Sequence, residues 1–151
     1  MATQWSKPSP PGWPRISSAL VYRDPVRAID WLCRAFGFEV RLKVAADDGS
    51  IVHSELTIGD GLIMVAGEGA KWNVPARSPQ SLGGANTQTL FTYVDDVQAH
   101  HDRAVAAGAR IVRELATSDY GEDYWSDRGY AALDPEGHNW SFAQRLSGPK
   151  A

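Results

Sequence analysis

Apolar and polar positions divide the chain into alternating short elements. "ISSALVY" (16–22) reads as a strand. Behind it, Ile29, Leu32, Cys33 and Phe36 recur at helical spacing,. Asp24 stands as the N-cap of that helix, Pro25 takes its first position, and Gly37 closes it,. "FEVRLKV", "IVHSELTI" and "GLIMVA" then read as strands, with "DDGS" and "GDG" as the turns between them,.

A second pass follows the same order. "TQTLFTYV" is a strand, Asp95 caps a helix carrying Val97, His101, Ala104 and Val105, and Gly108 ends it. "RIVREL", "RGYAAL" and "HNWSFAQ" are strands again. Tyr22, Asp24, Val26, Ala28, Gly37 and Val40 align with Tyr93, Asp95, Val97, Ala99, Gly108 and Ile111 at one constant spacing. The chain is therefore a duplication of one βαβββ unit, an internal repeat that defines an α+β fold. The predicted organisation is an N-terminal tail (1–15), a duplicated domain (16–145) and a C-terminal tail (146–151). Within the domain, the units span 16–68 and 87–145, joined by a Gly/Pro/Ser-rich linker or lid over 69–86,. Residues 1–14, with Trp5 and Trp13, are either a disordered tail or an arm that docks its tryptophans,.

Composition narrows the function classes. With 151 residues the chain is long enough to bury a core as one domain,. A net charge of −3 and the lack of a dense Lys/Arg stripe give nucleic-acid binding no electrostatic support,. No stretch is long and apolar enough for a membrane helix, and "MATQWSKPSPPGWPR" has no apolar run of a secretory signal,. Cys33 is the single cysteine, so no internal disulfide forms, and a cytoplasmic location is expected,. There is no G-x-S-x-G, P-loop or dinucleotide fingerprint,.

The motifs "YRDPVRAIDWLCRAFGF", "HSELTIGDGLIMVAG", "YVDDVQAHHDRAVAAGA" and "WSDRGYAALDPEGHNWSF" resemble the vicinal oxygen chelate superfamily. That superfamily includes glyoxalase I, extradiol dioxygenases and the bleomycin- and fosfomycin-resistance proteins. The resemblance covers residues 16–145 and is closest to a glyoxalase-like subgroup that includes proteins named for phosphonate operons. It implies that each unit curves its sheet into half a cup, with helices outside and a ligand or metal inside, and that a homodimer is expected. It also implies metal-ligand positions on the first and last strand of each unit. Carried over by counting from the capping Asp and the terminal turn Gly, these fall on Ser17, Val65, Thr89 and Ser141, with Gln88 in place of Thr89 under a one-residue shift. None is His, Asp or Glu, so no metal or other cofactor is expected.

Strand parity then selects the residues that line the cup. In "IVHSELTI", Val52, Leu56 and Ile58 share one face, while His53, Glu55 and Thr57 share the other,. The apolar face is expected against the helix, which leaves His53 and Glu55 for the cup. Same-face neighbours stand about 7 Å apart, so the two need not touch. The same parity assigns Thr89, Phe91, Tyr93, Arg128 and Tyr130 to the cup. Leu133, Trp140 and Phe142 go to the helix side, leaving Asn139 and Ser141 inside. Trp72, Tyr124 and Trp125 lie in loops, where they either stack on a ligand or bury a loop or dimer seam,. "DPEG" has type I turn chemistry, which gives His138 a structural role, and His100 and His101 are expected to be partly buried and hydrogen-bonded,.

These readings predict metal-independent binding of a small organic molecule, aromatic ones included, in a cup or at a dimer interface. Phe91, Tyr93, Tyr130, Trp125 and Trp72 would supply apolar surface, and His53, Glu55 and Arg128 orientation. The competing expectation is an enzyme of the same fold: a lyase, isomerase or dioxygenase. It would use an unusual divalent metal set from His53, Glu55 and His138, or acid–base chemistry by His53 and Glu55.

Overall fold

The computed structural model describes residues 7–70 and 74–148. The first unit is β1 (Ser18–Tyr22), α1 (Pro25–Phe36), β2 (Glu39–Ala45), β3 (Ile51–Ile58) and β4 (Gly61–Gly67). A short 3-10 turn (Pro79–Leu82) lies in the linker. The second unit is β5 (Thr89–Tyr93), α2 (Val97–Ala106), β6 (Arg110–Asp119), β7 (Ser126–Leu133) and β8 (Asn139–Ser147). Each unit forms a four-stranded sheet, ordered β1-β4-β3-β2 and β5-β8-β7-β6. The first and last strands pair in parallel, and the other pairs are antiparallel. The predicted duplicated α+β architecture is the one observed.

Local chemistry explains the helix ends. Asp24 accepts from the Arg27 amide at 3.0 Å, and Gly37 closes α1 at φ 79°, a conformation that favours glycine,. In α2 the cap is Asp96, not the predicted Asp95: it accepts from the Ala99 amide at 3.0 Å. Both residues of the Asp-Asp pair have capping chemistry, and the one whose carboxylate reaches the third amide of the helix sets the start. The Val97 amide is satisfied from outside the helix, donating to Gln144 Oε1 on β8 at 3.1 Å.

That one-residue displacement changes the repeat. Gly37 and Gly108 still align, both with positive φ. Before the helices, however, the second unit runs one residue later than predicted. Tyr22 and Tyr93, paired by the constant spacing, therefore lie on opposite faces of their sheets. Tyr22 is in the core, whereas Tyr93 is on the open face and 51% exposed.

The helix-bearing faces of both sheets share one core. Leu20, Leu56, Ile63 and Val65 from the first sheet join Tyr130, Ala132, Trp140 and Phe142 from the second. α1 drives Phe36 between them, where its ring meets Trp31, His100, Trp140 and Phe142. Polar bonds tie the units together as well. Trp31 Nε1 donates to the Ala107 carbonyl (2.8 Å), and Arg103 donates to the Cys33 and Arg34 carbonyls. The buried Asp134 carboxylate accepts from Tyr22 Oη, Trp140 Nε1 and the Glu136 and His138 amides. His138 Nε2 donates to the Val21 carbonyl at 2.8 Å. The "DPEGHNW" turn is thus a clasp between units, and burial with Asp134 alongside pushes the Tyr22 phenol well up.

Candidate functional site

The face of the second sheet opposite its helix is built on small residues. Register places Tyr93 beside Ala143 and Ala143 beside Gly129; Phe91 lies beside Ser141, and Ser141 beside Ala131. Gly129 is required there, since a Cβ would fall 2.7 Å from the Phe142 carbonyl oxygen. β5 and β7 are two strand spacings apart, about 10 Å. Tyr93 nevertheless reaches from β5 to Asp127 on β7, its hydroxyl donating to Oδ2 at 3.0 Å. Its ring therefore lies across β8, which accounts for the burial of Gly129 and Ala143 on a face that carries no helix.

Other aromatics continue this surface. Phe91 packs edge-on against Tyr93 at 5.3 Å between centroids. Trp125, at the end of the β6–β7 connection, donates from Nε1 to the same Asp127 oxygen at 3.2 Å, and Tyr120 and Tyr124 flank it. Tyr93, Val94, Asp95, Trp125, Gln144 and Arg145 line an open depression of about 740 Å³. Phe91, Tyr93 and Trp125 are 57%, 51% and 39% exposed, so the apolar surface is available. Desolvation and the neighbouring Asp127 raise the Tyr93 phenol, which stays a donor at neutral pH.

The corresponding face of the first sheet is different in kind. His53 Nε2 donates to Glu55 Oε1 at 2.9 Å, and Arg41 pairs with the other carboxylate oxygen. The side chains lean together, although same-face positions on β3 are well separated. Arg41 was not singled out in the sequence. It sits at a β-bulge opposite Glu55, and period-two reasoning cannot place a bulged residue,. The His53 bond, with help from Arg41, holds the Glu55 carboxyl below its usual range. A carboxylate kept ionised in this way is poorly matched to proton transfer near neutrality. Arg41 also donates to the Pro11 carbonyl at 2.9 Å, which brings Pro11 and Gly12 to this side chain. Ala19 and Val21 on β1 line a smaller cavity of about 230 Å³ together with His138 and part of the linker, including Pro75, Pro79 and Asn86.

Several predicted site residues are relocated. Arg128 and Tyr130 face the helix, not the cup. Arg128 donates to Gln98 of α2 at 2.8 Å, and Tyr130 is fully buried with its hydroxyl 2.7 Å from His100 Nδ1. Leu133 correspondingly falls on the opposite face from Tyr130. The reason is register: Tyr130 pairs with Phe142 and Ala132 with Trp140, so all four share the core side,. The residue that faces outward is Asp127, which the sequence reading missed by one position. Phe91, Tyr93 and Trp125 are brought together on the second sheet, while His53 and Glu55 form a separate cluster on the first. Trp72 lies outside the described residues.

His100 bridges the units: its Nε2 donates to the Phe36 carbonyl at 2.9 Å while Nδ1 accepts from Tyr130. Accepting from Tyr130 needs the neutral ring, and burial lowers the His100 pKa, partly offset by the bond to the Phe36 carbonyl.

The metal-ligand positions can be located on the strands. Counting from the observed cap, Asp96, gives Thr89 as the counterpart of Ser17, without a shift to Gln88. Ala19 pairs with Met64 as Phe91 pairs with Ser141, so the counterpart of Ser141 is Met64. Val65 is a core residue and not a ligand position. Ser17, Met64, Thr89 and Ser141 offer two hydroxyl side chains of serine, one of threonine and a thioether, a set that does not fit a catalytic divalent ion. Among the described residues, no group of three or more His, Cys, Asp or Glu side chains could hold a metal ion. His138, given to the Val21 carbonyl, is not available to His53 and Glu55.

A family model described as Glyoxalase/Bleomycin resistance protein/Dioxygenase superfamily matches residues 15–142. TioX from Micromonospora sp. ML1 has a similar solved structure, 37% identical, with a TM-score of 0.69, covering 87% of this chain and 98% of TioX. The uncharacterized protein Mb0911c of Mycobacterium bovis is 34% identical over 136 residues, 87% of this chain and 83% of its own length. A glyoxalase/bleomycin resistance protein/dioxygenase family enzyme from Burkholderia phytofirmans PsJN shares the fold at 18% identity. Its TM-score is 0.61, with coverage of 86% of this chain and 97% of that one.

Proposed function

The chain belongs to the glyoxalase/bleomycin resistance protein/dioxygenase superfamily, and from that premise we propose that it binds a small planar organic molecule, without a metal, on the open face of its second unit. The observation that carries this reading is the exposed aromatic surface of Phe91, Tyr93 and Trp125 beside a depression of about 740 Å³. Small-molecule sites typically measure about 300–1,000 Å³ and combine apolar walls with a few fixed polar groups. Tyr93 is held flat by its bond to Asp127, so its ring is already in place for stacking,. The action proposed is sequestration in the cytoplasm, affinity without turnover.

A second copy of the chain is part of this proposal. Leu42 and Val44 on the first open face and Phe91, Tyr93 and Tyr124 on the second are all exposed. A symmetric homodimer that lays one open face over the other would bury both sets and deepen the depression into a cup.

The test is a melting-temperature screen against aromatic natural products and antibiotics, followed by titration of the tryptophan fluorescence. Ligands should raise Tm and perturb Trp125 emission. The reading fails if no compound shifts Tm. Elemental analysis of protein purified without chelator should find no stoichiometric Ni, Zn, Mn or Fe. A full equivalent of any of them would restore the metalloenzyme alternative. Light scattering after size exclusion should report two chains.

A further inference from the structure

The turn that clasps the units also borders a second cavity. His138 is only 8% exposed, and its Nε2 donates to the Val21 carbonyl. That bond fixes the tautomer, because a carbonyl can only accept. In the neutral ring Nδ1 is therefore an acceptor, and it has no hydrogen-bond partner among the described residues. Nor is it sealed. The fully covered, unpartnered side-chain atoms of the described residues belong to Ser17, His101, Asp127 and Asn139. Nδ1 keeps accessible surface, and His138 lines the cavity of about 230 Å³ beside β1.

The ionisable groups that line this cavity are basic. Arg77 of the linker joins His138 there, and none of the ion pairs among the described residues includes it. Glu68, the carboxylate that senses Arg77, is occupied by the Ser78 amide and by Ser81. No Asp or Glu lines the cavity. Asp134 and Glu136 lie on the turn itself. Asp134 accepts from Tyr22, Trp140 and two amides, and Glu136 accepts from the Arg23 amide. Glu136 attracts a positive His138 ring, which favours a proton on Nδ1. The amide nitrogens of Asn86 and Gln88 already serve Gly84, Gly137 and Ser18. Ala19, Val21, Pro79 and Leu82 make the walls apolar.

An oxyanion here gains two charge-assisted bonds once Nδ1 takes a proton from solvent. A neutral amide gains weaker bonds, and a cation meets like charge. The space equals about eight waters at ~30 Å³ each, below the usual size of a drug-sized site, so the ligand must be small. We propose that this cavity binds a small apolar carboxylic acid, held as the carboxylate by protonated His138 Nδ1 and Arg77, with its hydrocarbon body against Ala19, Val21 and Leu82. The site is separate from the aromatic depression and does not depend on that reading.

Calorimetric titration with three aliphatic probes of one shape tests it: cyclohexanecarboxylate, cyclohexanecarboxamide and cyclohexylmethylammonium. None has a π-face to stack on the aromatic surface. The wild-type protein should bind the carboxylate about tenfold tighter than the amide, the scale of a charge-assisted bond, and the ammonium most weakly. Nitrogen NMR should show His138 Nδ1 passing from the unprotonated to the protonated form at saturation with the carboxylate. Arg77→Gln, at an exposed linker position, should weaken the carboxylate about tenfold and leave the amide unchanged. His138→Gln should abolish the preference, whereas Trp125→Ala should not alter it. Amide or ammonium binding as tight as the carboxylate overturns the acid assignment. Failure of the carboxylate to bind overturns the site, and loss of its affinity in Trp125→Ala moves it to the aromatic depression. A ring that stays unprotonated at saturation removes His138 from the role. The wild-type ratio and Arg77→Gln decide the matter even where His138→Gln does not fold.

Discussion

The two units carry the same elements on one ancestral plan and use them differently. α1 buries Ala28, Ile29, Trp31, Leu32, Ala35 and Phe36, a broad apolar face that enters the shared core. α2 buries Val97 and Ala104 and meets the core through His100 and His101. The open faces differ as sharply: Arg41, His53 and Glu55 on the first sheet, Phe91, Tyr93, Trp125 and Asp127 on the second. The difference teaches that the helix side is common property. Both units must bury it together, so their packing constrains one another. The open faces bear no such mutual constraint and have separated into a charged surface and an aromatic one.

Removing Phe36 should strain the comparison most. Phe36→Ala empties the junction of both sheets and should cost about 3–5 kcal/mol in urea denaturation. Val105→Ala, at a half-exposed site on α2, should stay within about 0.5 kcal/mol. If the two variants cost the same, α1 does not dominate the core. Asp134→Ala should come next, at about 3 kcal/mol, because it strands the buried Tyr22 hydroxyl and Trp140 indole,. A loss no greater than that of a surface substitution would show that the clasp between units is not structural.

The open faces separate at the level of binding. Trp125→Ala should weaken an aromatic ligand about three- to tenfold, the scale of one stacking contact, while His53→Ala should leave its affinity unchanged by calorimetry. The reverse result would move the site to the first sheet.

The smallest effect is a pH slope. His100 has a folded-state pKa below its unfolded value because burial disfavours the charged ring. The unfolded chain therefore binds more protons between the two values, and stability is lost as pH falls below about 6.5. His100→Gln should flatten that part of the curve of urea midpoint against pH. Glu55 adds a lower window: its depressed pKa contributes stability above the ordinary carboxylate range that is lost on further acidification,. His53→Ala should reduce that contribution.

Much of the fold was legible along the chain. Asp24, Pro25 and Gly37 bound α1 where local chemistry puts them, and "IVHSELTI" is β3 from end to end. The site was legible in part. Phe91, Tyr93 and Trp125 gather as their parity and loop placement suggested. Arg128 and Tyr130 did not, because parity within "RGYAAL" is ambiguous by one step and a single slip exchanges the faces. Asp127 and Arg41 were not recognised as partners, since Tyr93 and Glu55 reach them from other strands; for Asp134 a bond to His138 was expected, but not the one to Tyr22 of the first unit.

The sequence by itself determined the duplication, the order of elements, the caps of α1 and the turns, and the unsuitability of Ser17, Thr89 and Ser141 as metal ligands. These are matters of residue chemistry and short-range spacing. Only the tertiary structure decided which face of each strand is buried, that Asp96 and not Asp95 starts α2, and that Met64 rather than Val65 is the first-unit counterpart of Ser141. Only it placed an unpaired carboxylate oxygen among aromatic rings. Those outcomes depend on strand register and on the core the two units share, and both are set by contacts between positions far apart in the chain.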